Sequence, residues 1–186
     1  MTFIISSTVP PGWLYEHNED NSARYILGTL GVNPLICFGI NPSYAAPHNL
    51  DNTVNYVRIL AEKNGYDSFT MLNIYPQRAT DPNDLHHQAE ELLQAANEAC
   101  IAGYINHRPL TIWAAWGALV TRRSFLPGLV RRIITLPELS ACSWVARGAL
   151  TKGGHPHHPL YVSKGAPFVP FDVTVYLTQA QPMREE

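Results

Sequence analysis

The chain has 186 residues, 46% of them hydrophobic, with 13 basic against 15 acidic side chains and a net charge of −2. That length fits one domain with a sheet covered on both faces, and the near-neutral charge supplies no global field for a polyanion, although a local basic patch can suffice for nucleic acid. Cys37, Cys100 and Cys142 stand far apart in apolar surroundings, which argues against a disulfide framework and for reduced core residues of a cytoplasmic protein; no run reaches membrane-spanning length, and the opening Met1-to-Ile5 run is too short, and lacks the basic flank, for a signal peptide.

Residues 1–24 read as irregular, with Pro10-Pro11-Gly12 followed by a polar run. The first strand is Leu35 to Ile40, a continuous apolar segment. Asp51 or Asn52 then caps a helix that carries Val54, Val57, Leu60 and Ala61 on one face and ends at Gly65. Ser68 to Asn73 is the second strand. Asp81-Pro82 opens the longest helix, with Leu85, Ala89, Leu92, Ala96 and Ala99 at helical spacing. The third strand is Leu110 to Ala115, a piecewise helical segment runs to Ile134, and the fourth strand is about Cys142 to Ala146. Thr151 to Pro159 is a loop, and residues 179–186 form a frayed tail. Strands alternating with helices predict an α/β fold, a three-layer α/β/α sandwich on a short, mainly parallel four-stranded sheet, in a single domain over 1–186.

Polar residues stand where these strands leave the sheet, the edge at which open α/β sheets bind ligands. They are Asn41, Asn73, Trp116-Gly117 and the loop from His155 to Tyr161. The set is rich in amides, imidazoles and aromatics and poor in charge, which suits a flat, polar, neutral ligand such as a nucleobase. An Asn carries a donor and an acceptor that match a base edge. His155, His157 and His158 lack a neighbouring Cys or carboxylate at ligand spacing, so no metal is expected. Neither Ser43 nor Ser163 lies in a nucleophile elbow. Trp113 and Trp116 read as core, and Arg122-Arg123 and Arg131-Arg132 as solvated helix faces.

In this order the motifs resemble the uracil-DNA glycosylase superfamily. Gly39-Ile40-Asn41-Pro42-Ser43 is similar to the Gly-Ile-Asn-Pro-Gly of its mismatch-specific branch. Met71-Leu72-Asn73 resembles the strand whose terminal Asn reads the pyrimidine, Ala115-Trp116-Gly117 the end of the third strand, and His158-Pro159-Leu160 the second catalytic motif. The span from Arg24 to Tyr161 also resembles a family of bacterial and phage proteins that shares Asn-Pro-Ser, Asp-x-Thr (here Asp51-Asn52-Thr53), Ala-Trp-Gly and His-Pro-Leu-Tyr. The chain departs from the superfamily in places. Uracil-specific members carry Asp at the position of Asn41 and a thymine-excluding Tyr at that of Ser43. The second motif lacks its central Ser. Asp51 and Thr53 have no superfamily counterpart and stand as accessory candidates.

The resemblance implies a monofunctional DNA glycosylase, a monomer without cofactor or metal. It would hydrolyse the N-glycosidic bond of a flipped, modified or mismatched pyrimidine and leave an abasic site. Asn41 would position the water, and His158 or His157 would hydrogen-bond the departing base. Asn73 would read the base edge, Phe38 or Tyr44 would stack on it, and Ser43 would leave room at its 5 position. Leu160 would fill the vacated stack. His155, Lys152 and Ser163 would contact phosphates. The rival readings are a nucleotide- or DNA-binding module and a nucleobase-modifying enzyme on the same fold.

Overall fold

The computed structural model describes residues 9–179; the Met1-to-Ile5 run and the expected tail beyond Gln179 lie outside them. Seven strands form one sheet: β1 Trp13–His17, β2 Arg24–Thr29, β3 Pro34–Gly39, β4 Ser68–Asn73, β5 Thr111–Ala114, β6 Ser143–Arg147 and β7 Phe168–Pro170. Their spatial order is β1-β2-β4-β3-β5-β6-β7. The pairs β4–β3, β3–β5 and β5–β6 are parallel, and β1–β2, β2–β4 and β6–β7 antiparallel.

This corrects the expected four-stranded, mainly parallel sheet. The anticipated strands are present as the parallel block, but antiparallel strands extend it on both sides and make the sheet mixed. The missed strands share a physical signature. β1 is an edge strand, half-buried at every position and bulged between Glu16 and His17, so no clean apolar run marks it. β2 opens on a buried Arg and contains Gly28. β7 has three residues and ends in Pro170, a residue that edge strands tolerate. Within the expected irregular segment 1–24, the described residues 9–24 are therefore not irregular: β1 and the hairpin into β2 occupy them.

Helices cover both faces: α1 Asn52–Lys63, α2 Glu91–Ile105, α3 Leu126–Ile134 and α4 Val173–Gln179. Because side chains alternate along a strand, β3 feeds two separate cores. Ile36 and Phe38 pack with Ile101 and Ile105 of α2 and with Leu129 and Ile133 of α3. Leu35 and Cys37 pack with Val54, Val57 and Leu60 of α1. The α1 boundary follows local chemistry, since the Asp51 carboxylate accepts from the Val54 N–H at 2.8 Å.

The longest helix differs from its predicted form. Asp81 and Pro82 start only a short 3-10 turn, Pro82–Asp84, and α2 begins at Glu91. Leu92, expected in the core, is 89% exposed, and the buried positions of α2 are Gln94, Asn97, Ile101 and Ile105. The inward stripe is polar at its first turns because Asn97 serves the sheet edge: its amide donates to the Asn73 carbonyl at 3.0 Å. That anchors the carboxyl end of β4. In register, Gly39 of β3 faces Asn73 of β4, so both strand ends open on the same edge. Among the described residues, no helix is long and apolar enough to cross a membrane.

Candidate functional site

A cleft of about 350 Å³ opens at this edge, between the ends of β3 and β4, the first turn of α1, and the 3-10 turn Pro159–Tyr161. Asn41, Ser43, Tyr44, Asp51, Thr53, Asn73, His158 and Leu160 all line it, together with Arg24 and Tyr161. Residues that are distant in sequence, and that were singled out separately, therefore share one enclosure.

The orientation of Asn41 is fixed. Its amide nitrogen donates to the Ala79 carbonyl at 2.8 Å and to the Pro42 carbonyl at 3.0 Å. Both amide hydrogens are thus engaged, and the Oδ1 oxygen is left as an acceptor with no partner among the described residues. Asn73 is the complement. It is 1% exposed, and its amide nitrogen has no hydrogen-bond partner. Leaving a buried donor unpaired costs roughly 1–3 kcal/mol. Gly39 leaves the other side of this amide uncrowded: an added Cβ there would stand 3.1 Å from Asn73 Oδ1.

His158 is placed by a second glycine. Gly117, at φ +68°, lets the chain pass so close that an added Cβ would lie 3.3 Å from His158 Cβ. This gives the Trp116-Gly117 motif a mechanical reason. The Leu160 N–H donates to His158 Nδ1 at 3.3 Å. The proton of the neutral ring then sits on Nε2, a donor without a protein partner among the described residues. Burial pushes the His158 pKa down to about 4, against the opposing pull of the Asp51 charge, so the ring is neutral at pH 7. Asp51, besides capping α1, is the one carboxylate in the lining. Ser43 Oγ pairs with Thr80 Oγ1 at 2.9 Å. Tyr44, Leu160 and Tyr161 stand at the mouth, 56%, 45% and 76% exposed.

Some expected site residues lie elsewhere. Phe38 is not a stacking platform: it is fully buried under α2 and α3 and stacks on Trp144 with ring centroids 5.8 Å apart. Strand alternation turns it away from the cleft. His157 lines a neighbouring depression of about 540 Å³ that meets the cleft at Leu119, His158 and Tyr161, so of the two histidines His158 is the one beside Asn41. His155 reaches neither. Its Nδ1 pairs with the Tyr176 hydroxyl at 3.0 Å, and burial lowers its pKa. Lys152 and Ser163 are exposed and line neither cavity; the Ser163 carbonyl accepts from Ala166 N–H within a turn. Among the described residues, no three His, Cys, Asp or Glu side chains cluster closely enough to hold a metal ion.

Sequence reasoning missed Arg24. It is 2% exposed, lines the cleft, and donates from Nη1 to the Ala45 carbonyl at 3.0 Å, while its Nε has no partner. Desolvation, aided by the Arg78 charge, pushes its pKa down to about 10, with Asp51 opposing; it remains a cation at pH 7. The signal available in the sequence was a charged residue heading the apolar run Tyr25-Ile26-Leu27.

The model of a family described as protein of unknown function (DUF1643) matches residues 24–160. The matched span opens on Arg24 and closes on Leu160, and so takes in every lining residue discussed here except Tyr161. No curated protein and no solved structure matches the chain.

Proposed function

The chain belongs to the DUF1643 family, and from the cleft enclosed by its matched span we propose that it hydrolyses the N-glycosidic bond of a pyrimidine nucleotide. One observation carries this reading. Asn41, Asn73 and His158 line the same cleft, and each keeps a polar atom, Asn41 Oδ1, Asn73 Nδ2 and His158 Nε2, without a protein partner among the described residues; the size of the cleft falls in the range of small-ligand pockets. The resemblance to the uracil-DNA glycosylase superfamily supports the same assignment.

The chemistry divides among these groups. Asn73 donates to a base carbonyl. Asn41 Oδ1 accepts from the attacking water and holds it under C1′. As the C1′–N bond breaks, its electron pair leaves with the base, and the His158 N–H stabilises the resulting anion, as an oxyanion donor does. The water oxygen bonds to C1′. An amide cannot take the released proton, so Asp51, the carboxylate of the cleft, receives it. The base anion takes a proton from solvent, Asp51 returns its proton to solvent, and the products are the free base and a sugar with a hydroxyl at C1′. Ser43 in place of a bulky aromatic leaves space beside the base, which favours 5-substituted pyrimidines. In the DNA form of the reading the base is rotated out of the helix, and exposed Leu160 enters the gap.

The test is incubation with nucleotides and oligonucleotides carrying uracil, thymine and 5-substituted pyrimidines, with released base measured by chromatography and abasic sites by alkaline cleavage. Base release that Asn41→Ala abolishes is the expected result. Unchanged turnover in Asn41→Ala removes the mechanism.

A further inference from the structure

Arg24 takes no part in the chemistry above, yet its environment is unlike that of the other enclosed arginines. Arg147 is equally buried, at 2% exposure, and every nitrogen of its guanidinium is bonded: Nε donates to the Ala166 carbonyl at 3.2 Å, Nη1 to the Tyr56 hydroxyl at 2.7 Å, and Nη2 to the Lys164 and Ala166 carbonyls at 2.9 and 2.7 Å. Arg78 likewise spends its donors on the Ser43 and Ala45 carbonyls, Asn21 and the Tyr15 hydroxyl. Those two brace loops. Arg24 makes one hydrogen bond and leaves Nε unpaired, and it joins none of the ion pairs among the described residues. A buried guanidinium left short of acceptors is costly, and this one lines the cleft.

We propose that Arg24 seats a terminal phosphate, so that the substrate is a free pyrimidine nucleoside 5′-monophosphate rather than a base within a polynucleotide. This rests on the reading of the cleft as a base-holding site. The chemistry fits, because guanidinium and phosphate geometries match through paired N–H donors. The first turn of α1 lines the same cleft at Asn52, Thr53 and Val54, adding the positive end of a 12-residue helix. Asp51 is the one carboxylate present, and one of its oxygens is engaged by that helix end. Burial decides between the two sources of phosphate. A phosphodiester is tethered on both sides and must stay near the surface, whereas a terminal monoester can reach a side chain that is 2% exposed. The overall charge of −2 also provides no field for a polyanion.

The experiment is calorimetric titration of the intact protein with matched nucleoside and 5′-monophosphate pairs of deoxyuridine, thymidine and 5-hydroxymethyldeoxyuridine, and with a single-stranded oligonucleotide carrying each base internally. The expected result is that a monophosphate binds about 10- to 100-fold more tightly than its nucleoside, and more tightly than the oligonucleotide. Arg24→Met should bring the monophosphate down to nucleoside affinity while leaving the nucleoside unchanged. If that variant fails to fold, the wild-type ratio of monophosphate to nucleoside decides alone. Equal affinity for the two, tighter binding of the oligonucleotide, or no binding of any probe overturns the proposal. Arg24-dependent binding of a monophosphate without base release would sink the hydrolase reading and leave this one standing. Equal base release from nucleotide and oligonucleotide would do the reverse.

Discussion

Replacing His158 by Gln tests the electrostatics of the cleft without a substrate. The ring is held at a pKa of about 4 against an ordinary 6.5, chiefly because burial disfavours its charged form. The unfolded chain therefore binds a proton below pH 6.5 that the folded chain refuses until about pH 4. The sign follows: the contribution of His158 to stability is complete above pH 6.5 and is lost as the pH falls from there to 4. A shift of this size corresponds to about 3 kcal/mol, an upper value because the ring retains some solvent contact. Gln keeps an oxygen that can accept from the Leu160 N–H but takes no proton. The assay is urea unfolding of wild type and His158→Gln at intervals from pH 7.5 to 4. Contributions common to both proteins cancel in the difference. The wild type should lose more than the variant over that interval, by up to about 3 kcal/mol. Parallel stability curves would refute the buried, neutral imidazole and, with it, the neutral N–H donor assigned to the departing base.

Other substitutions probe the scaffold. Gly39→Ala brings a Cβ to 3.1 Å from Asn73 Oδ1; stability should fall by about 1 kcal/mol in denaturant unfolding, and affinity for a pyrimidine ligand should fall more steeply. Gly117→Ala meets both a φ of +68° and His158 Cβ at 3.3 Å, so a loss of about 1–3 kcal/mol is expected, with base release reduced because His158 is displaced. Asn97→Leu strips the buried Asn73 carbonyl of its 3.0 Å partner; it should lower the melting temperature by an amount equivalent to about 1–3 kcal/mol, and an unchanged melting temperature would show that α2 does not brace the end of β4.

The parallel block of the sheet was legible because β3 and β4 are buried at every position, which leaves a largely apolar run, broken in β4 by Thr70, with a polar residue at or after its end. Asn41 and Asn73 stood out for the same reason, each ending or following a buried strand at the open edge, whereas His158 stands in a loop and was marked by its motif. The antiparallel flanks were not, because one-sided burial breaks the apolar pattern, as in the half-buried β1. Phe38 was misread because adjacency to Asn41 in sequence says nothing about which face of the sheet a side chain joins. Arg24, Asn97 and Gln94 escaped notice together. Each is a polar residue fully inside, and sequence patterning assigns such residues to the surface.

The choice of Asn rather than Asp at position 41 has a local cause. Its side-chain nitrogen spans the Ala79 and Pro42 carbonyls and ties the strand-end loop to the segment that follows β4. A carboxylate there would place an acceptor against two acceptors, losing both bonds and adding repulsion in a partly enclosed site. The position is thus committed to an amide, and a proton acceptor for the cleft has to come from elsewhere. In the proposed mechanism that part falls to Asp51, the cap of α1. Asn41→Asp should therefore destabilise the protein, by about 1–3 kcal/mol from the two lost bonds, without raising the rate of base release. Asp51→Asn should preserve the cap, since an Asn oxygen also accepts from Val54 N–H, and yet slow base release by about 10²-fold or more, the scale of a lost general base. Faster turnover in Asn41→Asp, or full activity in Asp51→Asn, would return the proton-accepting role to the strand end and break the division of labour across the cleft.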